Sequence, residues 1–391
     1  MNDFTFQNTT KIYFGRNQIN HLPEEIRKVS KNVLLVYGGN FLKKTGLYDK
    51  VINVLHPAGI TTFDLDSVEP NPHHTTVNAG AKICRDNKIG TVLAIGGGSV
   101  IDAAKAIAAT AVSDTEDVWD LVEAHQPIIK ALPIFVIVTA AATGSEMDAS
   151  AVISNDDKKE KKGIAGPGVR PTASFLNPEN TFSVPAYQTA CGSFDIMSHT
   201  IDTKYFSKDD KMDMLYRMMD EHILTVVKYA PIALKKPDDY EARANLMWAA
   251  TWALNSFMTC GVHQATSVHA MEHELSGEYN ITHGHGIAIL MPRWMRYILN
   301  EETAPQIARL GYKVFDVPEE TPVMQAADLT IKAMEDFAFV KLGLKSHLSE
   351  LNIDESQFEK MAKNSCGEQG VIKGFVDLYP KDVEAIYQMC L

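Results

Sequence analysis

From about residue 30 to 180, short apolar runs alternate with stretches of helical periodicity. Val33–Tyr37 (VLLVY) ends at Gly38-Gly39, Val92–Ile95 (VLAI) ends at Gly96-Gly97-Gly98, and Ile134–Val138 (IFVIV) ends at Thr139. Helix-like segments Thr75–Asn87 and Ser99–Ala109 lie between them. Strands alternating with helices predict βαβ units and a mainly parallel sheet. The runs are apolar throughout, which suits strands covered on both faces. After Pro185, helical periodicity takes over across 185–205, 211–228, 240–260 and 262–277. KPDDYEARANLMWAATWALN has an acidic start and an Ala, Leu, Met and Trp continuation, as a buried helix does. The lysine-rich 156–163 segment, DDKKEKKG, reads as a solvated hairpin turn with room for one lysine to point inward. The pattern therefore predicts an α/β domain over 1–184 and an all-helical domain over 185–391, the proline opening the second.

Composition narrows the field. The 391 residues suffice for about two domains of roughly 150 residues. Apolar residues at 45% and charged residues at 22% exclude a disordered chain. The formal charge of −12 argues against non-specific nucleic-acid binding, which needs a basic surface. No apolar run reaches the roughly 20 residues of a membrane span. MNDFTFQNTTKIYFG lacks the basic and apolar regions of a signal peptide. Five scattered cysteines without a CxxC pair suit reduced thiols, so a cytoplasmic protein is expected.

Ligands of a parallel sheet settle beyond the carboxyl ends of its strands. At one such end, Gly96, Gly97 and Gly98 would let backbone N–H groups face an anion, with the following helix adding roughly half a positive charge. Ser99 could add a hydrogen bond. Asp102 either contacts a cofactor or only stabilises the helix dipole. Thr139, Thr143 and Ser145 cluster hydroxyls suited to ribose or phosphate, the plainer role for Ser145 being a helix cap. The first strand end carries Gly38, Gly39 and Asn40, with Lys43 a turn later, where an NAD site usually has a carboxylate. On that charge argument NADP(H) is favoured over NAD(H). Asn71, in the rigid Glu69-Pro-Asn-Pro turn, reaches toward the same nucleotide.

The second half carries a different chemistry. Asp195 and His199 are four residues apart and share a helix face, as do His269 and His273. His283 and His285 follow after the chain turns back near Gly277. Histidine nitrogens with a carboxylate suit Fe(II), Zn(II) or Mn(II). Spacing alone leaves open which three histidines are ligands. HELSG is not HExxH, because Gly277 occupies the second histidine's place, so a zincin protease is excluded.

These motifs resemble the iron-dependent (group III) alcohol dehydrogenases, and within them the butanol-dehydrogenase-like, NADPH-preferring aldehyde reductases. VYGGN at 36–40, VEPNP at 68–72, AIGGGSVIDAAKAIAA at 94–109, ATGSEMD at 142–148 and FDIMSH at 194–199 carry the resemblance. KPDDYEARANLMWAA at 236–250 and SVHAMEHELSGEYNITHG at 267–284 extend it, whereas the last hundred residues match loosely. The resemblance implies a dinucleotide-binding domain over 1–184, a metal-binding helical domain over 185–391 and a cleft between them, a homodimer, and a metal, most simply Fe(II), held by Asp195, His199, His269 and His283. It implies that His273 lies near nicotinamide and substrate without binding metal, and that Lys161 projects toward the cofactor. The chain departs from the family pattern at Asn40, at Leu176-Asn177-Pro178 and at Asp202. The implied activity is hydride transfer between NADP(H) and a short- to medium-chain alcohol or aldehyde. The alternatives are an NAD-dependent glycerol-dehydrogenase-like enzyme and a nucleotide- or metal-binding protein without turnover.

Overall fold

The computed structural model describes residues 2–208, 211–262 and 265–391. They form two compact units: Gln7–Val184 with Pro237–Asn255, and Met1–Phe6 with Pro185–Lys236 and Ser256–Leu391.

The first unit is built on a six-stranded parallel sheet. Its strands are β1 (Lys11–Phe14), β2 (Asn32–Val36), β3 (Thr61–Leu65), β4 (Thr91–Gly96), β5 (Ile134–Val138) and β8 (Ala173–Leu176), in the order β1-β8-β5-β4-β2-β3. A separate antiparallel hairpin pairs β6 (Ser150–Asn155) with β7 (Glu160–Ala165), so the lysine-rich segment does turn as expected. Period-two alternation sorts the apolar strands between two cores. Leu34, Val36, Val92, Ala94, Val136 and Val138 face the side packed by the His74–Asp86 and Gly98–Thr110 helices. Val33, Leu35, Leu93, Ile95, Phe135 and Ile137 face Leu22, Ile26, Val51 and Leu55 on the other. Both faces are dry, which is why the strands show no polar alternation.

The units differ from the contiguous halves that periodicity predicts. The Tyr240–Ala253 helix belongs to the α/β unit, where Met247 is fully buried in the core. Trp248 meets Phe14 edge to face at 5.7 Å, and the Thr251 hydroxyl donates to Glu146 at 2.6 Å. That helix ends at Ala253, short of the expected Cys260, as the chain turns through Ser256 at φ 71°. Met1–Phe6 goes with the helical unit, where the Asn2 N–H donates to the Gly261 carbonyl at 3.0 Å.

The helical unit contains Ala186–Thr200, continued by a widened turn at Ile201–Tyr205, then Asp213–Lys235, Ser267–Tyr279 and His283–Ile298. The histidine-bearing Ser267–Tyr279 helix runs past Gly277 and stops where Asn280 adopts φ 50°. All five cysteines are free and buried. Among the described residues no helix is long and apolar enough to cross a membrane.

Candidate functional site

In the helical unit, three helices converge on one small volume. Ala186–Thr200 brings Asp195 and His199, Ser267–Tyr279 brings His269, and the first residue of His283–Ile298 is His283 itself. One donor atom from each of these four residues lies within 4.8 Å of all the others. The Asp195 carboxylate is 3.7 Å from His199 Nδ1 and 3.6 Å from His283 Nε2. The His199 and His269 rings stack at 4.8 Å. Close approach of two of these helices depends on Gly284, where a Cβ would fall 2.1 Å from the Cys191 carbonyl oxygen.

Two carboxylates that the sequence reading did not select as site residues fix the rings. Asp202, in the widened turn, accepts from His269 Nδ1 at 2.7 Å and also caps the Ser267–Tyr279 helix through the Val268 and His269 N–H groups. Glu272, fully buried, bonds His283 Nδ1. A nitrogen that donates to a carboxylate leaves the opposite nitrogen as the lone-pair donor, so His269 and His283 both present Nε2 to the cluster. Glu272 lies three residues beyond His269 on the same helix, a spacing that could have revealed it.

Buried polar atoms normally find partners. Among the described residues His199 Nδ1 and His269 Nε2 are buried and have no hydrogen-bond partner. Burial, followed by the neighbouring His269, Lys204, His283 and His222, holds the His199 imidazole well below its usual pKa. It is therefore neutral, the form that donates to a metal. Three imidazoles, one carboxylate and two unsatisfied ring nitrogens fit a first-row divalent cation.

The two other histidines singled out in the sequence, His273 and His285, have different surroundings. His273 is half-buried one turn beyond His269, its ring 5.5 Å from that of His283. His285 points elsewhere: Nε2 donates to the Lys345 carbonyl and Nδ1 accepts from the Tyr187 hydroxyl, each at 2.9 Å. Both its nitrogens are occupied, so His285 is structural.

In the α/β unit, a cleft of about 240 Å³ opens beyond the carboxyl ends of β2, β4 and β5. Gly38, Gly96, Gly97 and Thr139 line it. Phe41 and Asn180 line it as well, which no sequence signal indicated. Gly98 opens the following helix against Thr143, whose methyl carbon would lie 2.5 Å from an added Cβ. Ser99 sits in that helix's first turn, where N–H groups lack intrahelical partners. Gly39 donates its N–H to the Asp66 carbonyl, and Asn40 is exposed beside it. Lys43 Nζ lies 3.8 Å from the Asp66 carboxylate and over the Tyr37 and Tyr48 rings. Gly39, Asn40, Lys43, Gly98, Ser99, Asp102, Thr143, Ser145, Asn71 (φ 51°) and Lys161, paired with Ser154 in the hairpin, lie outside this cleft's lining.

Ser145 departs from its expected role. It is 2% exposed, caps no helix, and spends its hydroxyl on Asp102 at 2.6 Å while accepting from Lys105 at 2.8 Å. Its side chain is occupied within the fold, leaving Asp102 as the partly exposed member of that chain.

Comparisons with known proteins agree with this architecture. The chain matches the model of the iron-containing alcohol dehydrogenases over residues 9–178, and that of the family's C-terminal domain over 189–391. NADH-dependent butanol dehydrogenase B of Clostridium acetobutylicum is 45% identical over 389 residues, covering 100% of this chain and 99% of its own. NADPH-dependent aldehyde reductase YqhD of Escherichia coli is 34% identical, covering 93% of this chain and 92% of its own. The crystal structure of NADH-dependent butanol dehydrogenase A from Thermotoga maritima has a TM-score of 0.94 at 36% identity, covering 100% and 99%. The chain belongs to the iron-containing alcohol dehydrogenase family. It is an oxidoreductase of the alcohol dehydrogenase and aldehyde reductase type, in a family that works with NAD(P) and a divalent metal. The match runs to Leu391, so the last hundred residues, loosely matched by motif, are part of the family's C-terminal domain.

Gly284→Ala forces apart two helices that carry cluster residues. It is expected to destabilise the protein by about 1–3 kcal/mol, read as a lower midpoint in denaturant titration.

Proposed function

We propose that this protein reduces short- to medium-chain aldehydes of the butyraldehyde type to primary alcohols, reversibly, using a nicotinamide dinucleotide and one Fe(II). The observation that carries this reading is the convergence of Asp195, His199, His269 and His283 within 4.8 Å around two unsatisfied imidazole nitrogens. The names of the butanol dehydrogenase and aldehyde reductase relatives support the substrate class.

When bound, the ion supplies Lewis acidity toward the aldehyde carbonyl. The chain's own residues do the rest. Asp202 and Glu272 hold two of the ligand imidazoles in the donor tautomer. The Gly98–Thr110 helix start offers backbone N–H groups to the pyrophosphate of the dinucleotide. His273, not needed for the four-donor set, is the group proposed to pass a proton to the product oxygen.

The dinucleotide's identity has two readings. The absence of a carboxylate at Gly38–Asn40 supports NADP(H). Asp66 beside Lys43 favours NAD(H), because its carboxylate offsets the positive charge a 2′-phosphate would use. The relatives named NADH-dependent butanol dehydrogenases support that second reading. A homodimer in the reducing cytoplasm completes the proposal, in keeping with five unpaired cysteines.

Elemental analysis of anaerobically purified protein is expected to find one divalent ion per chain, lost in His269→Ala and His283→Ala. Full metal occupancy in His283→Ala would overturn the ligand set. His273→Ala is expected to keep the metal and lose about 10²-fold or more in turnover. Asp202→Asn is expected to weaken metal retention about 10–100-fold in chelator competition. For the dinucleotide, kcat/KM with butyraldehyde is expected to be higher for NADH than NADPH, with Asp66→Ala moving the ratio toward NADPH. A preference for NADPH in the unaltered protein would restore the first reading. No oxidation of either dinucleotide with any aldehyde would leave a non-catalytic binding protein.

A further inference from the structure

Beneath the glycine helix lies a buried charged network that the proposed chemistry does not use. Lys105 is fully buried. Its ammonium donates to Asp148 Oδ1, to Ser145 Oγ at 2.8 Å and to the Ser150 carbonyl at 2.8 Å. Three acceptors take all three of its N–H donors. Ser145 has one hydroxyl proton, and with Lys105 on its lone pair that proton must go outward, to Asp102 at 2.6 Å. The second Asp102 oxygen accepts from the Val152 N–H at 2.9 Å. Both oxygens are thereby held, and each keeps a lone pair. Asp102 is partly exposed, one turn into the helix that follows the glycine loop.

We propose that Lys105 is a positioning residue for dinucleotide binding: acting through Ser145, it fixes the orientation and ionisation of Asp102, whose free lone pairs accept from a ribose hydroxyl or the carboxamide of the dinucleotide. This rests on the dinucleotide reading of the glycine loop given above. Burial pushes the Asp102 carboxyl up to about 6; the Lys105 charge opposes that, the Asp148 charge adds to it, and the Ser145 and Val152 bonds oppose it. Lys105 from its own helix and Asp148 from the loop before β6 are the charged groups acting on it. A raised carboxyl supplies its ionised acceptor above its pKa and loses it as pH falls through that value. Affinity for the dinucleotide is therefore present at neutral pH and declines through about pH 6. Removing either the Lys105 charge or the Ser145 hydroxyl raises the Asp102 pKa, so the decline begins at higher pH.

The test is the dissociation constant of NADH by fluorescence over roughly pH 5.5–8.5, on full-length protein without aldehyde. NADH is the probe because the 2′-phosphate of NADPH itself titrates near about pH 6. The unaltered protein is expected to show one inflection near about pH 6, absent in Asp102→Asn. Ser145→Ala keeps the Lys105–Asp148 pair and is expected to move the inflection up by about half a unit or more. Lys105→Met is expected to move it the same way, and Ser145→Thr to leave it in place. If Lys105→Met fails to fold, Ser145→Ala decides alone. Variants that lose affinity without moving the inflection, or a flat profile in the unaltered protein, would overturn the proposal. An unaltered protein that binds neither NADH nor NADPH would instead overturn the dinucleotide reading itself.

Discussion

The cluster in the helical unit depends on two carboxylate–imidazole contacts, Asp202 with His269 and Glu272 with His283. A buried imidazole free to rotate would find its own hydrogen bonds and leave the cluster. Tying each Nδ1 to a carboxylate removes that freedom and orients the lone pair of the opposite nitrogen. The cost is visible at His199 and His269, where buried nitrogens stay unmatched at about 1–3 kcal/mol each. A fold carries such a penalty when something else offsets it, and binding of a cation is the offset that this donor set suits.

The glycine loop solves the opposite problem. There, backbone must be exposed rather than side chains oriented, and glycine removes the atoms that would intervene. Thr143 packs against Gly98 so tightly that a methyl group would collide. The loop after β5 turns the Ser145 side chain into the fold, onto Asp102 and Lys105. The glycine loop thus serves through its backbone, while side chains of the helix after it and of the segment after β5 build a separate inner ionic network.

The sequence made some of this legible and hid the rest for physical reasons. Apolar strand runs ending in glycine located β2 and β4, because a doubly covered sheet leaves a continuous hydrophobic trace. Asp195, His199, His269 and His283 could be matched by motif, and helical spacing explains one of those pairs, Asp195 with His199. The supporting Asp202 and Glu272 were harder: a buried carboxylate looks the same in sequence as a solvated one, and only the fold brings it to an imidazole. Ser145 misled for a related reason, since a hydroxyl beside a glycine turn is ambiguous until its partners are known. Lys105 sits in an alanine-rich helix, where a charged residue is normally read as exposed. The Tyr240–Ala253 helix was recognised as buried, but periodicity says nothing about which core buries it.

That helix gives the chain an interleaved connectivity. The α/β unit is interrupted after Val184 and resumes at Pro237, when some fifty residues of the other unit have already been synthesised. Its Met247 and Thr251 contacts thus reach the first core late. A nascent chain emerging from the ribosome could not complete this unit on reaching residue 184. Recombination or fragment excision at that apparent border would detach a piece of the core, so the two units are inherited together although each is compact.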